Sequence, residues 1–236
     1  MIYVIYCGWT ALYFSIKYWV EWQEEKKRSG EAFHLAQKAQ LQMLRYQLNP
    51  HFLFNSLNSI KALVEEDKIS AKQMITELSD FLRYSLKDKD VAFKPLNEEL
   101  GALKLYLAIE KKRFEEKIQI DYIIQEETKS KQVLNFLIHP LIENSIKYGM
   151  KTSKLPLEIN IRSYLENEFL VIEICNSGKW LEWDETEGHH GTGTGLENVK
   201  KRLQNAYGND YRFEIEKAEN RVCVKIAMKT DEQNTG

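Results

Sequence analysis

The sequence predicts an N-terminal transmembrane helix, then an all-α dimerisation hairpin, then an α/β sandwich with its helices on one face. Three patterns predict it. Residues 1–20 are apolar and aromatic with one charge, Lys17. From Leu44 to Ile60 and from Ile75 to Leu86 apolar residues recur at steps of about three and four, with a polar break, EEDKIS, at Glu65–Ser70 between the two runs. Beyond Pro95, helical stretches give way to short alternating stretches that pair late in the chain, the order of an α/β layer rather than of a bundle.

Composition sets the outer bounds. At 236 residues the chain has room for one large domain or two small ones, and 43% hydrophobic with 29% charged residues describes a folded protein. A net charge of −2 argues against a nucleic-acid partner, which calls for a basic face. Cys7, Cys175 and Cys223 are far apart with no Cys-x-x-Cys pair, so neither a disulfide framework nor a zinc site is indicated. Cys175 and Cys223 lie in apolar runs and read as small core residues of a reducing compartment.

The elements follow in order. The run MIYVIYCGWTALYFSIKYWV is long enough to span a bilayer, and residues 1–22 are assigned to that helix. Tyr13, Tyr18, Trp19 and Trp22 suit an interfacial belt, and Lys26, Lys27 and Arg28 place the C-terminal side in the cytoplasm. The expectation is a single-pass protein of the cell inner membrane, since a signal peptide would need a basic start and a small-residue cleavage pattern.

Residues 23–94 form the hairpin region. One helix is predicted from Glu24 to about Leu63, and Ser70 or Asp67 caps a second over 70–86, with Ile75, Leu78, Leu82 and Leu86 on its apolar face. Two antiparallel helices leave much of that face uncovered, so a homodimer with a four-helix bundle is expected. Residues 95–229 form the sandwich. Asn97 caps a helix running to Arg113-Phe114, residues 118–124 alternate as a strand, and 132–147 is helical. Strands 157–163 and 169–175 meet at a turn at Glu166-Asn167, 195–207 is helical, and 211–216 with 221–228 make a last strand pair. Residues 230–236 are a polar, frayed tail.

The hairpin region holds a reactive group. In LRYQLNPHFLFNSLNSI, Leu44, Leu48, Phe52, Leu53, Leu57 and Ile60 mark an apolar stripe. Gln47, His51 and Asn55 add a polar line one turn apart, and Pro50 costs roughly 3 kcal/mol in a helix interior. That run resembles the phosphoacceptor segment of the LytS-type sensor histidine kinases, whose hallmark is Gln-x-Asn-Pro-His-Phe-x-Phe-Asn; here it is Gln47, Asn49, Pro50, His51, Phe52, Phe54 and Asn55. Phe81-Leu82-Arg83-Tyr84, Tyr106-Leu107 and Arg113-Phe114 resemble further segments of the same family. The resemblance implies that His51 is the nucleophile that receives a phosphoryl group from ATP and passes it to an aspartate of a cytoplasmic response regulator. The family usually carries several spans, so a chain with one is expected to be a truncated or unusual member.

The sandwich carries the complementary chemistry. Glu143, Asn144 and Lys147 fall on neighbouring positions of one helix and offer an oxygen for water, an oxygen for Mg2+ and a cation for phosphate. Seen alone, a Glu and a Lys four apart are more often a surface ion pair. The run around them resembles the N box of the GHKL ATPase and kinase superfamily. There Asn144 would bind Mg2+, Glu143 would act as base or orient water, and Lys147 would touch phosphate. Tyr148 stands where His is common. Gly191, Gly193 and Gly195, followed by Leu196 and Asn198, form a glycine-rich loop opening a helix, suited to phosphate and similar to the second glycine box. Between Gly178 and Gly191 lies the expected ATP lid, where His189-His190 is a polar loop pair rather than a metal site. Asn176 and Gly178 occupy the first glycine box, where the superfamily usually has Asp-x-Gly to accept the adenine amino proton. Together these imply a membrane-bound, ATP- and Mg2+-dependent protein-histidine kinase of a two-component system, with a GHKL-type catalytic domain. A pseudokinase scaffold that docks a regulator without turnover is the alternative, and a chaperone- or repair-type ATPase is third, since those lack the Asn-Pro-His-Phe helix.

Overall fold

A computed structural model of the chain describes residues 9, 12–13, 16–24, 26, 50–86, 91–181 and 194–230. The chain divides into two compact units, Met1–Phe54 and Asn55–Gly236. In the first, residues 16–24 are helical with Trp19 and Trp22 exposed. Among the described residues no helix is long and apolar enough to cross a membrane. Much of the predicted span 1–22 lies outside them, as do Lys27, Arg28, most of the helix expected before Pro50, and residues 231–236.

Helix α1, Pro50–Glu66, has its proline as the first described residue. Phe52, Ser56 and Ile60 are its buried stripe, while Phe54, Leu57 and Val64 are exposed. One residue, Asp67, separates it from helix α2, Lys68–Leu86. The Asp67 N–H donates to the Leu63 carbonyl at 2.7 Å. Its carboxylate accepts from the Ile69 and Ser70 N–H groups at 3.0 and 3.2 Å and from the Ser70 hydroxyl at 2.6 Å. Of the two predicted caps Asp67 is therefore the one used, and the Ser70 hydroxyl bond, ahead of the others, holds its carboxyl below the usual range.

The second unit is built on a five-stranded sheet of β2 (Ile118–Ile124), β4 (Leu157–Glu166), β5 (Phe169–Ser177), β7 (Arg221–Lys229) and β6 (Tyr211–Ala218), in that spatial order. β2 and β4 are parallel and the other pairs antiparallel. Alternation fixes the inward face: Leu157, Ile159, Ile161 and Ser163 of β4 are buried beside Ile172, Ile174 and Asn176 of β5 and Val222, Val224 and Ile226 of β7. Each buried Ile or Val there is worth roughly 1.5–3 kcal/mol of removal from water. On the other face Arg162 and Glu173 pair across strands at 3.6 Å. Asn167 turns the β4–β5 hairpin with φ +55°, at the predicted place.

Three helices serve this sheet: α3 (Leu96–Phe114), α4 (His139–Thr152) and α5 (Thr194–Tyr207). Gly149 lets α4 lie close, since a Cβ there would stand 2.5 Å from a Leu157 methyl. Helix α2 packs its stripe Ala71, Met74, Leu78 and Phe81 against α3, with the Phe81 and Tyr106 rings 5.8 Å apart and Lys112 to Glu77 at 2.8 Å.

Three sequence expectations need correction. The helix predicted over 132–147 begins at His139; Gln132–Leu134 is instead a strand, β3, paired with β1 (Phe93–Pro95). Phe136 at φ +56° interrupts the path, and Pro140 suits the new helix's first turn. Asn97 is not a cap: Pro95 holds that position and no side chain bonds the helix end. Cys175 and Cys223 are joined in a disulfide, because register sets them opposite one another on β5 and β7 with Cα atoms 4.0 Å apart. Their separation of 48 residues gives no hint of that register.

Candidate functional site

His51 lies on the first turn of α1 with its side exposed, and Asn55 follows one turn on, half-buried. Gln47 and Asn49 lie outside the described residues. The polar line is therefore present in its described part, on a helix whose first turn buries Phe52.

The remaining residues gather where α4, α5 and β5 meet. Glu143 and Asn144 are half-buried on α4, and Lys147 is exposed with its ammonium 5.2 Å from the Tyr148 ring centre. Gly195, in the first turn of α5, approaches Asn144 so closely that a Cβ would stand 3.3 Å from Asn144 Nδ2 and 3.8 Å from its Oδ1. Leu196 is half-buried beside it and Asn198 is exposed. Gly191, Gly193, the lid and His189-His190 lie outside the described residues.

At the sheet, Asn176 is 7% exposed, and its Nδ2 donates to the Ser177 carbonyl at 2.7 Å. That bond sets the carboxamide's orientation and leaves Oδ1 as the accepting end. A Cβ on Gly149 would come within 3.3 Å of the same Nδ2, so Asn176 faces α4. Gly178 needs to be glycine on two counts. Its φ is +107°, and a Cβ would meet Thr152 Oγ1 at 2.4 Å and the Ser153 nitrogen at 3.0 Å. Thr152 Oγ1 in turn accepts from the Lys179 N–H at 3.0 Å, tying the strand end to the last turn of α4.

Several residues to which sequence reasoning gave no role in the site lie on the neighbouring elements. Glu99 and Glu110 are buried on α3, at 4% and 1% exposure. Arg113 pairs with Glu110 Oε1 at 3.0 Å, while Oε2 has no hydrogen-bond partner among the described residues. Burial, opposed by Arg113 and reinforced by the charge of Glu143, pushes the Glu110 carboxyl up to about 7. Tyr106, one turn before Glu110, is raised well above its ordinary value by burial and then by Glu110 and Glu143. Its ring meets that of His139, one turn before Glu143, at 4.5 Å edge-on. Phe81 and Phe136 also pack on the His139 ring, at 5.3 and 5.6 Å, and burial holds that imidazole neutral by lowering it to about 4. A signal was present for two of these: Leu96, Glu99, Leu103, Tyr106 and Glu110 share one helical stripe, and an acid on an apolar stripe marks a buried charge.

This arrangement can hold a polyanion. A helix N-terminus approached by glycine, an amide oxygen beside it and a lysine one turn away supply donors, a hard oxygen ligand and a cation. The donor set fits a magnesium ion, for which Asn144 would supply the protein oxygen beside water and phosphate.

Residues 39–118 match the histidine kinase family. Over 209 residues the chain is 29% identical to the sensor protein LytS of Enterococcus faecalis, covering 84% of this chain and 36% of that protein. Over 179 residues it is 34% identical to the sensor histidine kinase BtsS of Escherichia coli, covering 75% and 31%. The chain thus spans about a third of the length of these curated relatives. The solved histidine kinase domain of the Erythrobacter litoralis EL346 blue-light activated histidine kinase superimposes with a TM-score of 0.48 at 15% identity, over 84% of this chain and 96% of that one.

Proposed function

We propose, from the premise that this chain is kin to the LytS-type sensor histidine kinases, that it is an ATP-dependent protein-histidine kinase. The approach of Gly195 to Asn144 carries the reading, because it joins the two segments that a bound triphosphate must bridge. In this reading Asn176 accepts from the adenine amino group through Oδ1, with Gly178 keeping the strand end close. Leu196 and Asn198 flank the phosphates with the glycine-rich turn, and Lys147 neutralises their charge. Asn144 holds Mg2+, which when bound offsets phosphate charge. Glu143 acts as base for the departing proton or orients water.

A ring nitrogen of His51 attacks the γ-phosphorus in line through its lone pair. The bond to the β,γ-bridging oxygen breaks, ADP leaves, and the imidazole proton is lost. No acid follows His51 in sequence, so Asn55 and Gln47 are the candidates for its orienting partner. The phosphoryl group then passes to an aspartate of a response regulator. The domain reading is 1–22 for a membrane helix, 23–94 for a homodimeric phosphoacceptor region, 95–229 for the catalytic domain and 230–236 for a tail, with the catalytic part in the cytoplasm.

Incubating the full chain with γ-labelled ATP and Mg2+ tests this. Acid-labile label on the protein is the expected result. Free phosphate alone would make the chain an ATPase. No label and no phosphate would favour the second reading, a pseudokinase scaffold, which the carboxamide of Asn176 in place of a carboxylate supports. Retention of the full chain in the membrane pellet after an alkaline wash tests the anchor.

A further inference from the structure

The peptide groups of Phe136 are gripped on both sides. Its N–H donates to Glu99 Oε1 of α3 at 2.8 Å. Its carbonyl accepts from Arg202 Nη1 of α5 at 3.0 Å, and Arg202 Nη2 donates to the carbonyl of Asn135. Phe136 has φ +56°, a left-handed conformation that a bulky residue keeps only where its surroundings hold it. Three residues later α4 begins, and it carries Glu143 and Asn144. Arg202 lies seven residues after Gly195, two turns along α5 on the same side. One guanidinium therefore fastens α5 to the strap that starts α4.

We infer that Arg202, together with Glu99, is a positioning residue of the nucleotide site, setting the gap between Asn144 and the first turn of α5. This rests on the nucleotide reading above. The gap governs the grip on the magnesium-bound triphosphate end and leaves the base contact at Asn176, on β5, unaffected. Arginine is required because its planar fork reaches two successive carbonyls, which a lysine ammonium does not span in the same fixed geometry. The same Glu99 oxygen accepts from the Tyr84 hydroxyl of α2 at 2.7 Å, and the Lys94 ammonium sits 4.3 Å from the Tyr84 ring centre. Helix α2 thereby shares the strap's anchor.

Calorimetric titration of the purified full chain tests this with two ligands, ATP with Mg2+ and ADP in excess chelator. Arg202→Lys should weaken ATP with Mg2+ by about tenfold, the loss of about one charge-assisted hydrogen bond to the triphosphate end, and should leave chelated ADP within about twofold. Lys201→Ala, exposed on the same helix, should change neither. Unchanged ATP affinity in Arg202→Lys, or an equal loss for both ligands, would overturn the inference, the second because it marks general loosening. If Arg202→Lys does not fold, Glu99 supplies the test: Glu99→Gln, which keeps the acceptor for the Phe136 N–H, should retain ATP with Mg2+, and Glu99→Ala should lose it. Equal behaviour of that pair would overturn it as well. A wild-type chain that binds neither ligand would refute the nucleotide reading itself, whereas wild-type binding matched by Arg202→Lys refutes the positioning role alone.

Discussion

The first turn of α1 and the junction of α4 with α5 place their polar residues in opposite settings. His51 is exposed on a helix whose neighbours Phe54 and Leu57 are exposed as well. Asn144, Asn176 and Gly178 are half-buried or buried, with a glycine or a backbone carbonyl against each. On the reading proposed above, His51 must meet one phosphoryl donor and then one acceptor, and such a group gains from exposure. A site that grips a polyanion gains from fixed donors, whose reorganisation is already done when the ligand arrives. The contrast predicts that substitutions at His51 remove chemistry and spare structure, while those at the junction disturb both.

The largest effect tests the exposed side. His51→Ala should abolish acid-labile label from γ-labelled ATP completely while nucleotide affinity and melting temperature stay at wild-type values. Label that persists in this variant would remove His51 from its role.

On the buried side, Gly178→Ala comes next. A Cβ would stand 2.4 Å from Thr152 Oγ1 and 3.0 Å from a backbone nitrogen, at φ +107°. Clash and strain together should destabilise the fold by on the order of 3 kcal/mol. Denaturant unfolding reads it, and a loss under about 0.5 kcal/mol, typical of free surface positions, would show that the strand end is not held as described.

Acid supplies the third test. Burial takes His139 from 6.5 to about 4, so the folded chain binds fewer protons than the unfolded one between those values. Its contribution is complete above 6.5 and is lost as pH falls through 4, at most about 3 kcal/mol because part of the residue reaches the surface. Glu110 acts in the opposite sense: raised from 4.5 to about 7, it contributes fully below 4.5 and loses that contribution as pH rises through 7. The two oppose one another between 4.5 and 6.5, so the wild-type curve alone hides each. The stability difference between wild type and His139→Phe should therefore move by up to about 3 kcal/mol in favour of the variant from pH 6.5 to pH 4. A difference independent of pH would mean the imidazole is solvated.

The same contrast explains what the sequence made legible. The motif around His51 is a local string, and the strand at 118–124, the turn at Asn167 and the helix from Gly195 follow from local pattern. Asn144 and Gly195 were legible as separate signals because the phosphate chemistry proposed for them restricts residue type. Their approach depends on Phe136, Glu99 and Arg202, which lie far apart in sequence and meet only through tertiary packing. Even so, Arg202 stands between Val199 and Leu203 on a buried stripe, and that misplaced charge was readable. The Cys175–Cys223 pairing was not, because strand register and not spacing decides it. Strand β3 escaped notice for the opposite reason: three residues are too few to show alternation against a helical run that follows.

The smallest effect concerns Asn176, where the two sides of the comparison separate within one substitution. Its Nδ2 donates to the Ser177 carbonyl at 2.7 Å, so Asn176→Asp sets a carboxylate oxygen against a carbonyl oxygen in a buried place. Losing that bond and leaving an acceptor unmatched should lower the stability of the nucleotide-free chain by about 1–3 kcal/mol. The repulsion is present with and without ATP and cancels from the binding equilibrium. What does not cancel is the other oxygen, which would now accept the adenine amino proton as a charged group, a bond stronger by about 1 kcal/mol. ATP affinity should therefore rise about fivefold while the unfolding midpoint falls. Calorimetry and denaturant unfolding on one preparation read both quantities. A lower midpoint with unchanged ATP affinity would make Asn176 a prop for the Ser177 turn, with no contact to the base.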